Sequence, residues 1–355
     1  ILLVVPTLNE ATEIYNEMKN YLDEVYLFPE DDFMSKKAIA SSPELLYMRA
    51  NILNKFETET KKIIIVHLNS FIKKLPAPSS YKENRINIKV NSEINREDFI
   101  SKLIKIGYKK ESMVYETSDF AVRGFIIDIF PINEENPIRI ELFDDTIEKI
   151  KYFDPVTQKS IKEIEEITIS PIKDDFDNNN SSIRDYNRDG LVIFHNYNQI
   201  INQEKMIQPQ LKYLDMQNEI FKVSKLVNDN DIYFDTINNR NSDIKIEAEA
   251  IDNYNSNKEK FFFDLKTSGG TLYTTNKLLT EEVKKYDKAI KIEAYTLNHG
   301  FVYKNNTYFS EFDLYESQNK KELIKGSSLG SKIMSIDSIK PGDYVVHRKS
   351  GIGIY

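Results

Sequence analysis

Two short apolar runs, Ile1-Leu2-Leu3-Val4-Val5 and Lys62-Ile63-Ile64-Ile65-Val66, constrain the first part of this sequence more than any other feature. A strand with one wet face alternates apolar and polar residues, whereas a continuous apolar run is buried on both faces. Helix-period patterns lie between the two runs. Asn9 is a candidate cap for a helix reaching about Asp23, with Ile14, Met18, Tyr21 and Leu22 on one side. Val25–Phe28 reads as a further strand, ended by Pro29. Ser42-Pro43 sets a cap and a first-turn proline ahead of Leu45, Met48, Ile52, Leu53 and Phe56. Strands alternating with helices predict a parallel sheet.

The character changes after Pro76-Ala77-Pro78-Ser79-Ser80, which is a linker signal. Ile86–Val90 reads as a strand. Asn95 caps a helix that Gly107 closes, with Phe99, Ile100, Leu103 and Ile104 as its buried stripe. Strands then follow in quick succession at Ser112–Tyr115, Phe120–Phe130, Ile138–Phe143 and Ile147–Phe153, with turns at Asp144-Asp145 and Asp154-Pro155. This is an α+β pattern with hairpins. Asp174–Ser182 is a polar, low-complexity loop. Leu191–Phe194 is another buried strand, with a helix from about Gln199. Asn238–Asp243 reads as a loop. Residues 258–316 form a small α/β unit containing Phe261-Phe262-Phe263, Thr271–Thr274, a helix from Asn276 to Tyr286, Ile290–Tyr295 and Tyr308–Ser310. Residues 317–337 are a polar linker, and Lys340-Pro341-Gly342-Asp343 opens a new element.

Several functions are excluded by what these 355 residues lack. A net charge of −8 does not suit a nucleic-acid coat, and pairs such as Lys284-Lys285 and Lys320-Lys321 are solvated faces. With no cysteine, disulfides, thiolate chemistry and cysteine zinc sites are out. No stretch approaches the ~18 apolar residues of a membrane span, and Ile1–Val5 lacks the basic start of a signal peptide. A cytoplasmic, monomeric protein with no membrane contact is expected. No GxxxxGK[ST] or GxGxxG occurs. His67, His195, His299 and His347 have no metal-ligand spacing, and neither Asp31-Asp32 nor Asp144-Asp145 has a partner that would make it catalytic. The expectation is a binding module rather than an enzyme, with no metal and no cofactor. A start inside a strand at Ile1 and an end just after Gly351-Ile352-Gly353 further suggest a piece of a longer protein.

One surface stands out. In Ile138-Arg139-Ile140-Glu141-Leu142-Phe143, alternation sends Ile138, Ile140 and Leu142 to the core and Arg139, Glu141 and Phe143 to the other face. An aromatic beside Arg and Glu on a wet face is the composition of an interface hot spot. Arg123, set between apolar residues, must point to water or be paired. If its strand pairs with Ile138–Phe143, Arg123 joins the same patch. A surface salt bridge, worth ~0–1 kcal/mol, accounts for the pattern equally well.

These residues also carry a resemblance. Asp119-Phe120-Ala121-Val122-Arg123-Gly124-Phe125-Ile126-Ile127-Asp128-Ile129-Phe130-Pro131, Pro137–Asp145 and Phe153-Asp154-Pro155-Val156-Thr157-Gln158 resemble the UvrB-interaction-type domain shared by the repair protein UvrB and the transcription-repair coupling factors (Mfd). Phe28-Pro29-Glu30 with Ser42-Pro43-Glu44-Leu45, and Lys340–His347 with Gly351-Ile352-Gly353, are similar to the amino-terminal module and to the opening of the RNA-polymerase-interacting domain of coupling factors. The resemblance implies a UvrB-like α/β module in two parts, 1–80 and 174–257, around an inserted α+β UvrA-interaction domain, 81–173. It further implies a small α/β domain at 258–316, a linker at 317–337 and the truncated start of the polymerase-interacting domain at 338–355. It implies a UvrA-recruiting function through Arg123, Arg139 and Phe143, with Glu141 on the same face, and both arginines paired with acids on UvrA. It also implies that the ATP- and Mg-dependent translocase motor, the DNA contact and most of the RNA polymerase contact belong to parts of the parent protein outside this chain. His195-Asn196 stands where a working relative carries Walker-B-type acids, which implies a degenerate nucleotide site; Ser350 stands where the family has His. The rival expectation is a fragment of an active UvrB-like ATPase whose phosphate loop lies before Ile1.

Overall fold

A computed structural model describes residues 1–29, 43–58, 61–173, 180–236, 243–315, 344–347 and 351–354. The chain forms two compact units, Ile1–Gln318 and Asn319–Tyr355. In the first, five strands make a parallel sheet in the order Ile232–Phe234, Val192–His195, Leu2–Val5, Ile63–His67, Val25–Leu27. Leu2 lies opposite both Val192 and Ile64, which puts the opening strand at the centre. Leu2, Val4, Val5, Ile64, Ile65 and Val66 are completely buried, as their unbroken apolar runs require.

The helix after the first strand runs Leu8–Lys19, and its cap is Thr7 rather than Asn9: the Thr7 hydroxyl accepts from the Glu10 amide at 3.3 Å. It ends before Tyr21 and Leu22, so both are exposed. In the Pro43–Thr58 helix, Ile52 and Leu53 are buried, whereas Leu45 and Met48 are only partly covered. The Ser42 cap, Asp31-Asp32, Glu30, most of the polar stretches at 174–182 and 238–243, the 317–337 linker and Lys340–Asp343 fall outside the described residues.

Pro76–Ser80 is not a linker. Pro78 opens a helix, Pro78–Glu83, because a first-turn proline needs no amide hydrogen. Tyr81 in that helix is buried, and its hydroxyl donates to the Ala50 carbonyl at 3.0 Å or the Pro171 carbonyl at 2.8 Å. It thereby links the Pro43–Thr58 helix to the far end of the insertion.

Within the insertion, Asn95 caps the Arg96–Lys105 helix and Gly107, at φ +106°, ends it. Ile104 is exposed rather than part of the buried stripe. Beyond the helix is a six-stranded sheet in the order Ser160–Ile164, Thr146–Phe153, Ile138–Phe143, Ile126–Ile129, Asp119–Arg123, Lys109–Lys110, antiparallel except for the last pair. The run Phe120–Phe130 is therefore a hairpin, not one strand. It folds back at Gly124-Phe125, where Gly124 takes φ +59° and Arg123 pairs with Ile126. Ser112–Tyr115 is not a strand either; the Asp119 carboxylate accepts from the amides of Tyr115 and Glu116 and holds that segment as a turn. Ile86–Lys89 pairs with Glu166–Ile169 in a two-stranded ribbon.

The inner face of the six-stranded sheet contributes Phe120, Ile127, Ile129, Ile138, Ile140, Leu142, Ile147 and Ile150 to a buried cluster that also contains Leu2, Val4, Ile64 and Phe194. The insertion is thus fused to the parallel-sheet module by a shared core, and a small cluster of Val114, Ala121 and Phe153 covers part of its other sheet face. A further five-stranded sheet joins Ala248–Ala250, Phe301–Tyr303, Asn306–Ser310, Thr271–Tyr273 and Lys291–Glu293. Phe261-Phe262-Phe263 lies in the Lys258–Thr267 helix, and helical period buries the first two and exposes the third. Phe261, Leu272, Val283 and Phe309 belong to its separate core. In the unit Asn319–Tyr355, Tyr344–His347 pairs antiparallel with Gly351–Ile354.

Candidate partner-binding face

The strand Ile138–Phe143 divides its side chains as its alternation predicts. Ile138, Ile140 and Leu142 are buried, Arg139 and Glu141 are partly covered, and Phe143 is 75% exposed. Arg123 does not lie on the neighbouring strand. Ile126–Ile129 runs between them, with Asp128 directly opposite Ala121 on one side and Arg139 on the other. Asp128 is 1% exposed. Its carboxylate accepts from Arg123 Nη2 at 2.6 Å, Arg139 Nε at 2.7 Å and Arg139 Nη2 at 2.9 Å. A buried carboxylate that drew no cation would be costly, so this one draws two. One negative charge between two guanidiniums leaves the cluster with an excess positive charge.

The two arginines differ in freedom. The Arg139 side chain is 17% exposed; its guanidinium also donates to Gln158 Oε1 at 3.0 Å and sits 4.5 Å from the centre of the Phe153 ring. The Asp128 hydrogen bonds push its pKa further above its already high ordinary value. The Arg123 side chain is 48% exposed and keeps donors facing solvent. Gln158 reaches Arg139 because the preceding turn is locked. The Asp154 carboxylate accepts from the amides of Val156 at 3.1 Å and Thr157 at 2.6 Å, which holds it below its ordinary pKa. Gln158 itself takes φ +59° and donates to the Pro155 carbonyl.

Glu141 accepts from Lys151 at 2.9 Å on the next strand, and this bond holds the lysine above its ordinary pKa. Arg123, Arg139 and Glu141 therefore lie on one face, with Phe143 at its end. Sequence reasoning missed Asp128, Lys151, Phe153 and Gln158. The available signal was Asp128 itself, a single acid inside Ile126-Ile127-Asp128-Ile129, where burial demands a cation.

The other site read from sequence lies at the end of the parallel sheet. His195 closes the Val192–His195 strand, and its Nδ1 is 2.6 Å from Glu10 Oε1. Asn196 donates to the same oxygen at 3.3 Å and accepts from Thr236. Glu10 is thus engaged by both residues at this strand end. Among the described residues no group of three or more His, Asp or Glu could hold a metal ion, and no helix is long and apolar enough to cross a membrane.

Residues 86–174 match the UvrB interaction domain. The match begins at the Ile86–Lys89 strand and takes in the whole six-stranded sheet, including Arg123, Asp128, Arg139, Glu141 and Phe143. Over 176 residues, 49% of its length, the chain is 35% identical to the transcription-repair-coupling factor of Staphylococcus haemolyticus (strain JCSC1435). It is 36% identical over the same length to that of Staphylococcus aureus (strain bovine RF122 / ET3-1). The matched stretch spans 15% of each relative.

Proposed function

We propose that this chain is the UvrA-recruiting, UvrB-like region of a transcription-repair coupling factor, and that the outer face of its UvrB interaction domain makes the contact. The observation that carries this reading is the convergence of Arg123 and Arg139 on the buried Asp128, in line with a 75% exposed phenylalanine, inside the matched domain. A preorganised cation cluster beside an exposed aromatic supplies orientation and apolar anchorage together. Arg123, half exposed, offers its free donors to a carboxylate on UvrA. Arg139, held by Asp128, Gln158 and the Phe153 ring, acts as the rigid base of the cluster rather than as a free arm. Phe143 fills an apolar recess, and Glu141, tied to Lys151, borders it.

On the same reading the parallel-sheet module is a scaffold without a working nucleotide site, which the engagement of Glu10 by His195 and Asn196 supports. The ATP-driven motor, with its magnesium and DNA contacts, and the bulk of the RNA polymerase contact belong to the remainder of the parent protein. The test is capture of UvrA by the wild-type chain and by the Arg123→Ala/Arg139→Ala/Phe143→Ala variant. The variant should lose UvrA; retention at the wild-type level overturns the assignment.

A further inference from the structure

The Gly124-Phe125 turn holds a large aromatic side chain that faces solvent. Phe125 is 62% exposed. Nothing in the hairpin requires an aromatic there: Gly124 supplies the positive φ, and Phe125 lies outside that region, so any ordinary residue fits the turn. Its carbonyl accepts from the Leu142 amide at 2.8 Å, which fastens the turn onto the neighbouring strand beside Phe143. Two large aromatics are thus left in water at the same end of one sheet, on backbone segments that are hydrogen-bonded to each other. Arg123 immediately precedes this turn, and the exposed acids Asp144 and Asp145 follow Phe143.

We propose that Phe125 is a second aromatic anchor of the UvrA contact, acting beside Phe143. This rests on the reading of the face as the UvrA-binding surface and extends it. The occupant it fits is an apolar ridge of UvrA wide enough to meet both rings. That ridge carries a carboxylate on the side facing Arg123 and a cation on the side facing Asp144 and Asp145. Rigid aromatics with few rotatable bonds lose little entropy on binding, which suits them as anchors. Because each is already exposed, removing either costs the free chain little.

The test is an equilibrium titration of UvrA with the 355-residue chain and with Phe125→Ala, Phe125→Leu, Phe143→Ala and Arg123→Ala/Arg139→Ala, each melted in parallel. Phe125→Ala should weaken binding roughly 10-fold, equivalent to about 1.4 kcal/mol, at an unchanged melting temperature, and Phe125→Leu should recover part of it. Wild-type affinity for Phe125→Ala, with binding lost in the Phe143 and arginine variants, overturns the role of Phe125 and leaves the face intact. Wild-type affinity in all variants overturns the binding face itself. A melting temperature that falls in step with affinity also overturns the proposal, because Phe125 would then serve the hairpin.

Discussion

Asp128→Asn is the sharpest perturbation of this architecture. The substitution keeps shape and volume but removes the charge that binds two guanidiniums. Asp128 accepts three hydrogen bonds at 2.6–2.9 Å while 1% exposed. An asparagine keeps one acceptor oxygen and turns an NH2 toward groups that can only donate. Hydrogen bonds to charged groups contribute about 1.5–3 kcal/mol each. The Arg123 share is discounted because its side chain is half exposed and water can replace the lost partner. Arg139 keeps Gln158 and the Phe153 ring, which offsets part of its loss. The net expectation is a destabilisation of about 2–4 kcal/mol. The assay is urea unfolding, run for the wild-type chain, Asp128→Asn, Arg139→Gln and the double variant. A coupling energy of at least about 1.5 kcal/mol should appear between the two positions. A shift below about 0.5 kcal/mol for Asp128→Asn would refute the claim that this carboxylate organises the face. On the proposed reading, affinity for UvrA should fall in the same variant even though Phe143 is untouched.

Three other outcomes follow from particular side chains. Burial lowers the pKa of His67 from 6.5 to about 4, with Nε2 3.2 Å from the Ser70 hydroxyl. The unfolded histidine therefore takes a proton first as pH falls. Stability present above about 6.5 should decline toward pH 4 by up to ~3 kcal/mol, and pH-dependent melts of His67→Gln should lack that component. Gly300→Ala would set a Cβ 2.2 Å from the Asp313 carboxylate and 2.6 Å from the Tyr308 carbonyl; the backbone atom cannot yield, so a loss of about 2 kcal/mol or more should appear as early melting of the small α/β module. Ile140→Ala, in the inner face of the six-stranded sheet, should cost about 2–5 kcal/mol by calorimetry, whereas Phe143→Ala on the same strand should stay within about 0.5 kcal/mol.

The sequence by itself determined the parallel sheet, because strands buried on both faces must be continuously apolar, as Leu2–Val5 and residues 63–66 are. It also determined which side of Ile138–Phe143 meets the core, because strand period is two and Ile138, Ile140 and Leu142 share a phase. It could not reveal that Phe120–Phe130 folds back on itself, since a single glycine in an apolar run marks a turn or a bulge equally well. Only the tertiary structure decided the state of the arginines. Asp128 meets Arg123 five residues away and Arg139 eleven residues away, across two different strand pairs. Residue composition names the charges, but strand register decides which of them meet. That register depends on the Gly124-Phe125 turn and on the shared core beneath the sheet.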